Sequence, residues 1–302
     1  MNSVQRPALS GLLLASVGAI AFSGKAIIVK LSYMYGVDAV TVIMYRMLFA
    51  LPFFIAMGLW AERQAIAREN PLTRRDVIDI VGLGFVGYYL SSYLDFLGLQ
   101  YITASLERLI LYLNPTLVVL LGWAVYKKPV QPIRMLAMAV SYSGVLLVFS
   151  HELSLAGANV ALGGSLVFGS AVSYAVYLLY SGQLVQRIGS LRLVGWATSV
   201  ACVCCIAQFL LLRPLSAAVV PVEVLWLGVL NAVACTVAPV LMVMMAIERI
   251  GAALAAQTGM IGPMSTIALG VLLLDEPLNL SIGVGTLLVL SGVFIVSKYG
   301  AK

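Results

Sequence analysis

The chain has 302 residues, of which 62% are hydrophobic and only 10% charged, with a mean hydropathy of +1.05. A soluble surface carries roughly 25% charged residues, so a water-soluble enzyme or binding domain is excluded, and the longest hydrophilic stretch, residues 61–76, is too short to fold as an appended module. The net charge of +6 is dispersed between apolar stretches rather than gathered on one face, which argues against nucleic acid as a partner.

In chain order, apolar segments fall at residues 9–33, 38–60, 77–98, 104–125, 131–150, 160–183, 193–212, 223–246, 252–274 and 279–298. Each has the ~18–25 residues that cross a ~30 Å hydrocarbon core as a helix, and the ~10-residue alternating segments of a β-barrel are missing. The first follows Arg6 but is too long, and holds Lys25 and Lys30, for a cleaved signal peptide; it reads as a retained anchor. The second carries Arg46, the third Asp95, and the fourth Glu107, Arg108 and the break Asn114-Pro115. The sixth offers Tyr174, Tyr177 and Tyr180 at a spacing of three; the seventh and eighth hold all four cysteines, read as small hydrophobes packing between helices. The ninth contains Gln257 and Thr258 ahead of a second break, Gly262-Pro263. The fold expected is therefore an all-α polytopic membrane protein of ten transmembrane helices.

Loops after even-numbered segments, with the two termini, carry thirteen basic residues; loops after odd-numbered ones carry one, Arg213, and four lie within segments. This bias predicts cytoplasmic N- and C-termini in a multi-pass protein of a bacterial-type cytoplasmic (inner) membrane.

A shift of 148 residues aligns Asn114-Pro115 with Gly262-Pro263, Leu121-Gly122 with Leu269-Gly270, Pro129 with Pro277 and Ser143-Gly144-Val145 with Ser291-Gly292-Val293. The repeated unit holds five helices, an odd number, so the second copy enters the membrane from the opposite side. Residues 1–150 and 151–302 are thus expected to be two inverted five-helix repeats, the architecture that gives a central site two related conformations.

The stretch from Tyr93 to Pro129, its second-half counterpart from Ala246 to Pro277, and the opening GAIAFSGKAIIVKL followed by YRMLFALP resemble the EamA family of the drug/metabolite transporter (DMT) superfamily. The resemblance spans essentially the whole chain through loose motifs of small residues and prolines. One departure is visible: the second half has Asp275-Glu276-Pro277, the first Lys127-Lys128-Pro129. The resemblance implies ten spans and, usually, export of metabolites such as amino acids and their derivatives.

Ionisable groups deep in a span cost roughly 2.5–3.5 kcal/mol each on insertion scales, so each is a functional candidate. Three cations, Lys25, Arg46 and Arg108, face two anions, Asp95 and Glu107. The surplus positive charge suits a substrate carboxylate or other anionic group, with Arg46, nearest the middle of its helix, as the anchor. Lys25, Asn114, Tyr174, Tyr177 and Gln257 are further candidates for the substrate. Asp95 and Glu107 are candidates for proton coupling, Arg108 for an ion pair, and Pro115 and Pro263 mark helix breaks whose freed carbonyls can contact solute. Internal pairing, snorkelling and ordinary packing kinks are the alternative readings. No nucleotide loop, catalytic set, metal cluster or cofactor motif can be assembled, and the only histidine, His151, sits at a loop beside Glu152. The partners expected are a small-molecule solute and the lipid bilayer, with homodimerisation compatible. An uptake permease, a multidrug efflux carrier for amphipathic compounds, a channel, and a non-transporting scaffold or receptor remain alternatives to an exporter, with an intramembrane enzyme the weakest of them.

Overall fold

The computed structural model describes residues 5–63, 70–127, 130–156, 158–250, 255, 258–259 and 261–299. Among them there is no strand. Ten apolar helices follow one another: α1 Leu9–Met34, α2 Ala39–Glu62, α3 Arg74–Gly98, α4 Ala104–Tyr126, α5 Pro132–Ser154, α6 Asn159–Gly182, α7 Ser190–Leu212, α8 Val222–Ala246, α9 Ile261–Leu274 and α10 Leu280–Ile295. The first eight are long and apolar enough to cross a membrane. The last two are shorter as described, and α9 begins nine residues after the start read from hydropathy, most of the difference lying outside the described residues. Large side chains such as Trp60, Leu211, Val219, Leu272 and Leu280 point outward. An apolar exterior on an all-helical bundle is what lipid as solvent selects.

Helix starts follow from local chemistry. Asp38 caps α2, accepting from the Val40 amide at 2.9 Å and the Thr41 hydroxyl at 2.8 Å. Thr73 and Asp76 form a capping box at the start of α3. The start of α4 is held most heavily. Thr103 accepts from the Leu106 amide, Glu152 at the end of α5 takes the Thr103 hydroxyl, and Glu276 after α9 accepts from the Ala104 amide at 2.6 Å and the Ser105 hydroxyl at 2.7 Å.

Among the described residues, three helices deviate from α geometry in their interiors. α4 is interrupted at Tyr112 and Leu113, because Pro115 cannot donate to the carbonyl one turn back and the chain restarts at Asn114. α3 and α8 each contain a wide π turn, at Phe85–Leu90 and Val233–Val237. In α8 the turn lies immediately before Pro239, which removes the donor for the Cys235 carbonyl. Carbonyls loosened around the wide turns find hydroxyls: Ser173 donates to Val86 at 2.6 Å, and Thr236 to Asn231 at 2.8 Å.

Features recur at the 148-residue shift. The π turns begin at Phe85 and Val233, and among the described residues the non-glycine positions with left-handed φ are Lys127 at 54° and Asp275 at 53°. α5 packs against α10 and α2 against α7. α1 lies against α8 and α9, as α6 lies against α3 and α4. At the α5–α10 contact a Cβ on Gly144 would stand 2.6 Å from the Gly285 carbonyl oxygen, so only glycine allows the two backbones to approach this closely.

Candidate functional site

Between α1, α2, α3, α4, α6, α7 and α8 lies a cavity of about 470 Å³. Both wide turns border it, through Gly87 and Tyr88 of α3 and Thr236 of α8, and so does the α4 break, through Leu111, Tyr112 and Asn114. Part of the non-regular backbone thus borders a cavity, a setting in which it is tolerated at membrane depth.

Lys25, Arg46, Asp95 and Arg108 line this cavity, and all four are at most 6% exposed. Lys25 extends its ammonium to both acids, 2.5 Å from Asp95 Oδ2 and 3.2 Å from Glu107 Oε1. Glu107 is fully buried behind them. The pairing expected of Arg108 therefore belongs to Lys25. Arg108 instead donates to the Ser23 hydroxyl at 2.8 Å and stacks over the Phe22 ring at 5.3 Å. Its charge lies beyond 4.0 Å of every carboxylate among the described residues. Geometry explains the exchange: Glu107 and Arg108 are adjacent on one helix, so their side chains diverge by about 100°.

Arg46 is held differently. Its Nε donates to the Thr236 hydroxyl at 2.9 Å and its guanidinium lies 5.2 Å over the Phe96 ring. Among the described residues its Nη1 has no hydrogen-bond partner and no carboxylate stands within salt-bridge distance. Thr236 is presented by the wide turn of α8, with its proton committed to the Asn231 carbonyl, so its lone pairs face Arg46. The charged cluster belongs to the first half alone. At the 148-residue shift, Lys25, Arg46, Asp95, Glu107 and Arg108 correspond to Ser173, Val194, Val243, Ala255 and Ala256.

Of the aromatic stripe, Tyr174 lines the cavity, while Tyr177 stacks behind it at 5.6 Å and meets the Tyr88 hydroxyl at 3.3 Å. Tyr180 is 48% exposed and points away. Three residues advance a helix by about 300°, so each step retreats by about 60° and the third tyrosine has left the face. Asn114 lines the cavity, and its Oδ1 has no hydrogen-bond partner among the described residues. Pro263 frees the Gly259 carbonyl, but the Tyr112 hydroxyl takes it at 2.5 Å, leaving that group engaged within the protein. Gln257 lies outside the described residues. Ser23, Thr236, Tyr112 and Tyr88, which hold or face the charges, carry no mark in the sequence beyond adjacency to Lys25, Pro239 and the breaks.

The sequence profile of the EamA-like transporter family matches residues 9–150 and again residues 161–298. "Uncharacterized transporter YcbK" of Bacillus subtilis (strain 168) is 30% identical over 305 residues, covering 96% of this chain and 92% of that protein. A protein of known crystal structure shares the fold with a TM-score of 0.62 at 16% identity, over 98% of this chain and 99% of that one. A double match across nearly the whole length, on a bundle of ten apolar helices around a polar cavity, makes this multi-pass membrane protein a transporter and a member of the EamA-like transporter family.

Proposed function

We propose that the chain is a secondary transporter that moves a small solute through the 470 Å³ cavity by alternating access, as an exporter, with the Lys25, Asp95 and Glu107 triad as its proton-coupling group. The observation that carries this reading is the cavity itself: it is bordered by helices of both 148-residue units, and the wide turns that border it occur at equivalent positions of each. Two units of five helices, inverted with respect to each other, give such a site one opening at a time. With both termini cytoplasmic, the tie of α4 to Glu152 and Glu276 lies at the outer end, and the cavity reaches inward past Phe54, Thr198 and Gly18. This is the loading state of an exporter in a bacterial-type inner membrane.

The triad suits coupling because two carboxylates share one ammonium, so one negative charge is open to neutralisation by a proton while the other stays paired. A proton arriving or leaving changes how tightly α1 is bound to α3 and α4, the helices that supply the three groups.

Ala19, on the cavity wall, gives the test. Ala19→Cys protein is placed in vesicles of known sidedness and labelled with a membrane-impermeant maleimide, against the wild type as background. Labelling from the cytoplasmic side that falls when a proton gradient is imposed, and no longer falls in Asp95→Asn protein, is the expected result. Simultaneous labelling from both faces describes a channel and refutes alternating access.

A further inference from the structure

We infer that the solute is an organic monoanion with an apolar body, bound by its carboxylate at Arg46, and not a zwitterion or a cation. The inference rests on the cavity being the transport site and adds to that reading the charge of what it carries.

The first argument is the state of Arg46. A guanidinium that lines a cavity while 5% exposed has left water, and it has recovered one hydrogen bond, to Thr236, and one ring face, Phe96. Its Nη1 remains without a hydrogen-bond partner among the described residues. Removing a charge from water is costly unless it is paired and hydrogen-bonded, and among the described residues no carboxylate stands within salt-bridge distance of Arg46; Glu62, the acid of α2, pairs with Arg192 at the far end of the helix. The planar fork of arginine is completed by a carboxylate, which can accept from two of its nitrogens at once.

The second argument is charge balance over the cluster. Lys25 is the cation nearest both acids, at 2.5 and 3.2 Å, and Arg46 and Arg108 face none within ion-pair distance among the described residues. With every group ionised the cluster sums to one positive charge, and a monoanion brings it to zero. A cation doubles the surplus. A zwitterion leaves the surplus unchanged and adds a second ammonium to a cluster in which the Asp95 carboxylate is already occupied by Lys25.

The third argument is the remaining wall. Phe22, Met47, Phe54, Leu111, Val240 and Met244 give the cavity a largely apolar lining. A volume of about 470 Å³ lies in the range of small-molecule sites. An acid with a compact aromatic or branched aliphatic body meets both parts.

The probes are 3-phenylpropionate, its primary amide, phenylalanine and phenethylamine, which keep one body and change the charge. Melting temperature of the purified full chain in detergent reads binding, because a ligand specific for the folded state raises it with concentration. The expected result is a saturable upward shift with 3-phenylpropionate, at least tenfold weaker for phenylalanine, and absent for the amide and the amine. Arg46→Gln abolishes the shift, Arg46→Lys retains a weakened one, and Thr236→Val, which keeps the charge but releases its aim, weakens it severalfold. Shifts of equal size from amide, amine or phenylalanine overturn the inference, as does unchanged affinity in Arg46→Gln, or silence across straight and branched acids from acetate to 3-phenylpropionate. None of these outcomes touches the sidedness of Ala19→Cys labelling, so the charge class can fail while the transporter reading stands.

Discussion

Replacing Lys25 with methionine tests whether the buried triad holds the bundle together. The substitution keeps the length and apolar stem of the side chain while deleting the one ammonium that, among the described residues, reaches Asp95 and Glu107. Two carboxylates then face each other at 2% and 0% exposure. Removing one partner of a buried pair typically costs about 3–5 kcal/mol, most of it the penalty on the charge left behind. At roughly 2–4 °C per kcal/mol for a chain of this class, Lys25→Met should melt at least about 6 °C below the wild type in the same detergent. Asp95→Asn alone leaves Lys25 paired with Glu107 and should cost less, about 1–3 kcal/mol. The double variant Lys25→Met/Asp95→Asn buries one acid rather than two and should melt above Lys25→Met, a coupling of the sign expected for groups in contact. Thermal unfolding followed by intrinsic fluorescence at pH 7 reads all four proteins. A Lys25→Met melting temperature within about 1 °C of wild type would refute the reasoning, since the triad would then bear no structural load.

Two further perturbations act at the ends of helices. Glu276→Ala removes the acceptor of the Ala104 and Ser105 amides and the Ser105 hydroxyl and should cost about 1–3 kcal/mol, the penalty of orphaned buried donors; Glu276→Gln, which keeps one acceptor, should cost less, and equal melting temperatures for the two would discount the cap. Asp38, outside the spans, has its carboxyl held below the usual value: burial opposes ionisation, but hydrogen bonds from Thr41 and Arg213 and the Arg213 charge outweigh it. A depressed folded value means stability present above the unfolded value of about 3.9 and lost as pH falls through the folded one, so the melting gap between wild type and Asp38→Asn should close below about pH 4 and be constant from pH 5 to 7.

Ten helices and their order were legible because lipid imposes one rule along the whole chain: every residue of a span must be apolar or accounted for. That rule also singled out Lys25, Arg46, Asp95, Glu107 and Arg108, four of which the fold brings to one cavity with the fifth directly behind. Partner choice was not legible. Glu107 and Arg108 are neighbours in sequence and point apart in space, whereas Lys25 and Asp95 are 70 residues apart and touch at 2.5 Å. The tyrosine stripe was overextended because a spacing of three drifts around a helix, and Tyr180 ends at the surface. Thr236 was invisible because its role depends on a wide turn of the backbone, which no side-chain pattern announces. Pro263 points to a freed carbonyl one turn back, but that this carbonyl, on Gly259, is engaged by Tyr112 depends on how α4 packs beside the break.

At the 148-residue shift the two halves share backbone features but not charges. Positions that shape the backbone recur at the 148-residue shift: the wide turns, the left-handed residues ending α4 and α9, and Gly144 with Gly292. Positions that carry charge do not, since each buried ionisable group of the first half meets Ser, Val or Ala in the second. In the proposed transport cycle, recurring backbone features would let the bundle open in two related ways, while a charge cluster confined to one half makes the cavity itself one-sided. Ends of the molecule differ for the same reason. Glu276 places a carboxylate on the amides that start α4, a favourable pairing of an anion with a helix N-terminus, whereas the corresponding residue of the first half is Lys128, whose charge has the opposite sign. On the proposed alternating-access reading, the carboxylate tie at the start of α4 has no counterpart of the same sign at the equivalent position of the first half, so the two ends of the cavity are not held by the same chemistry.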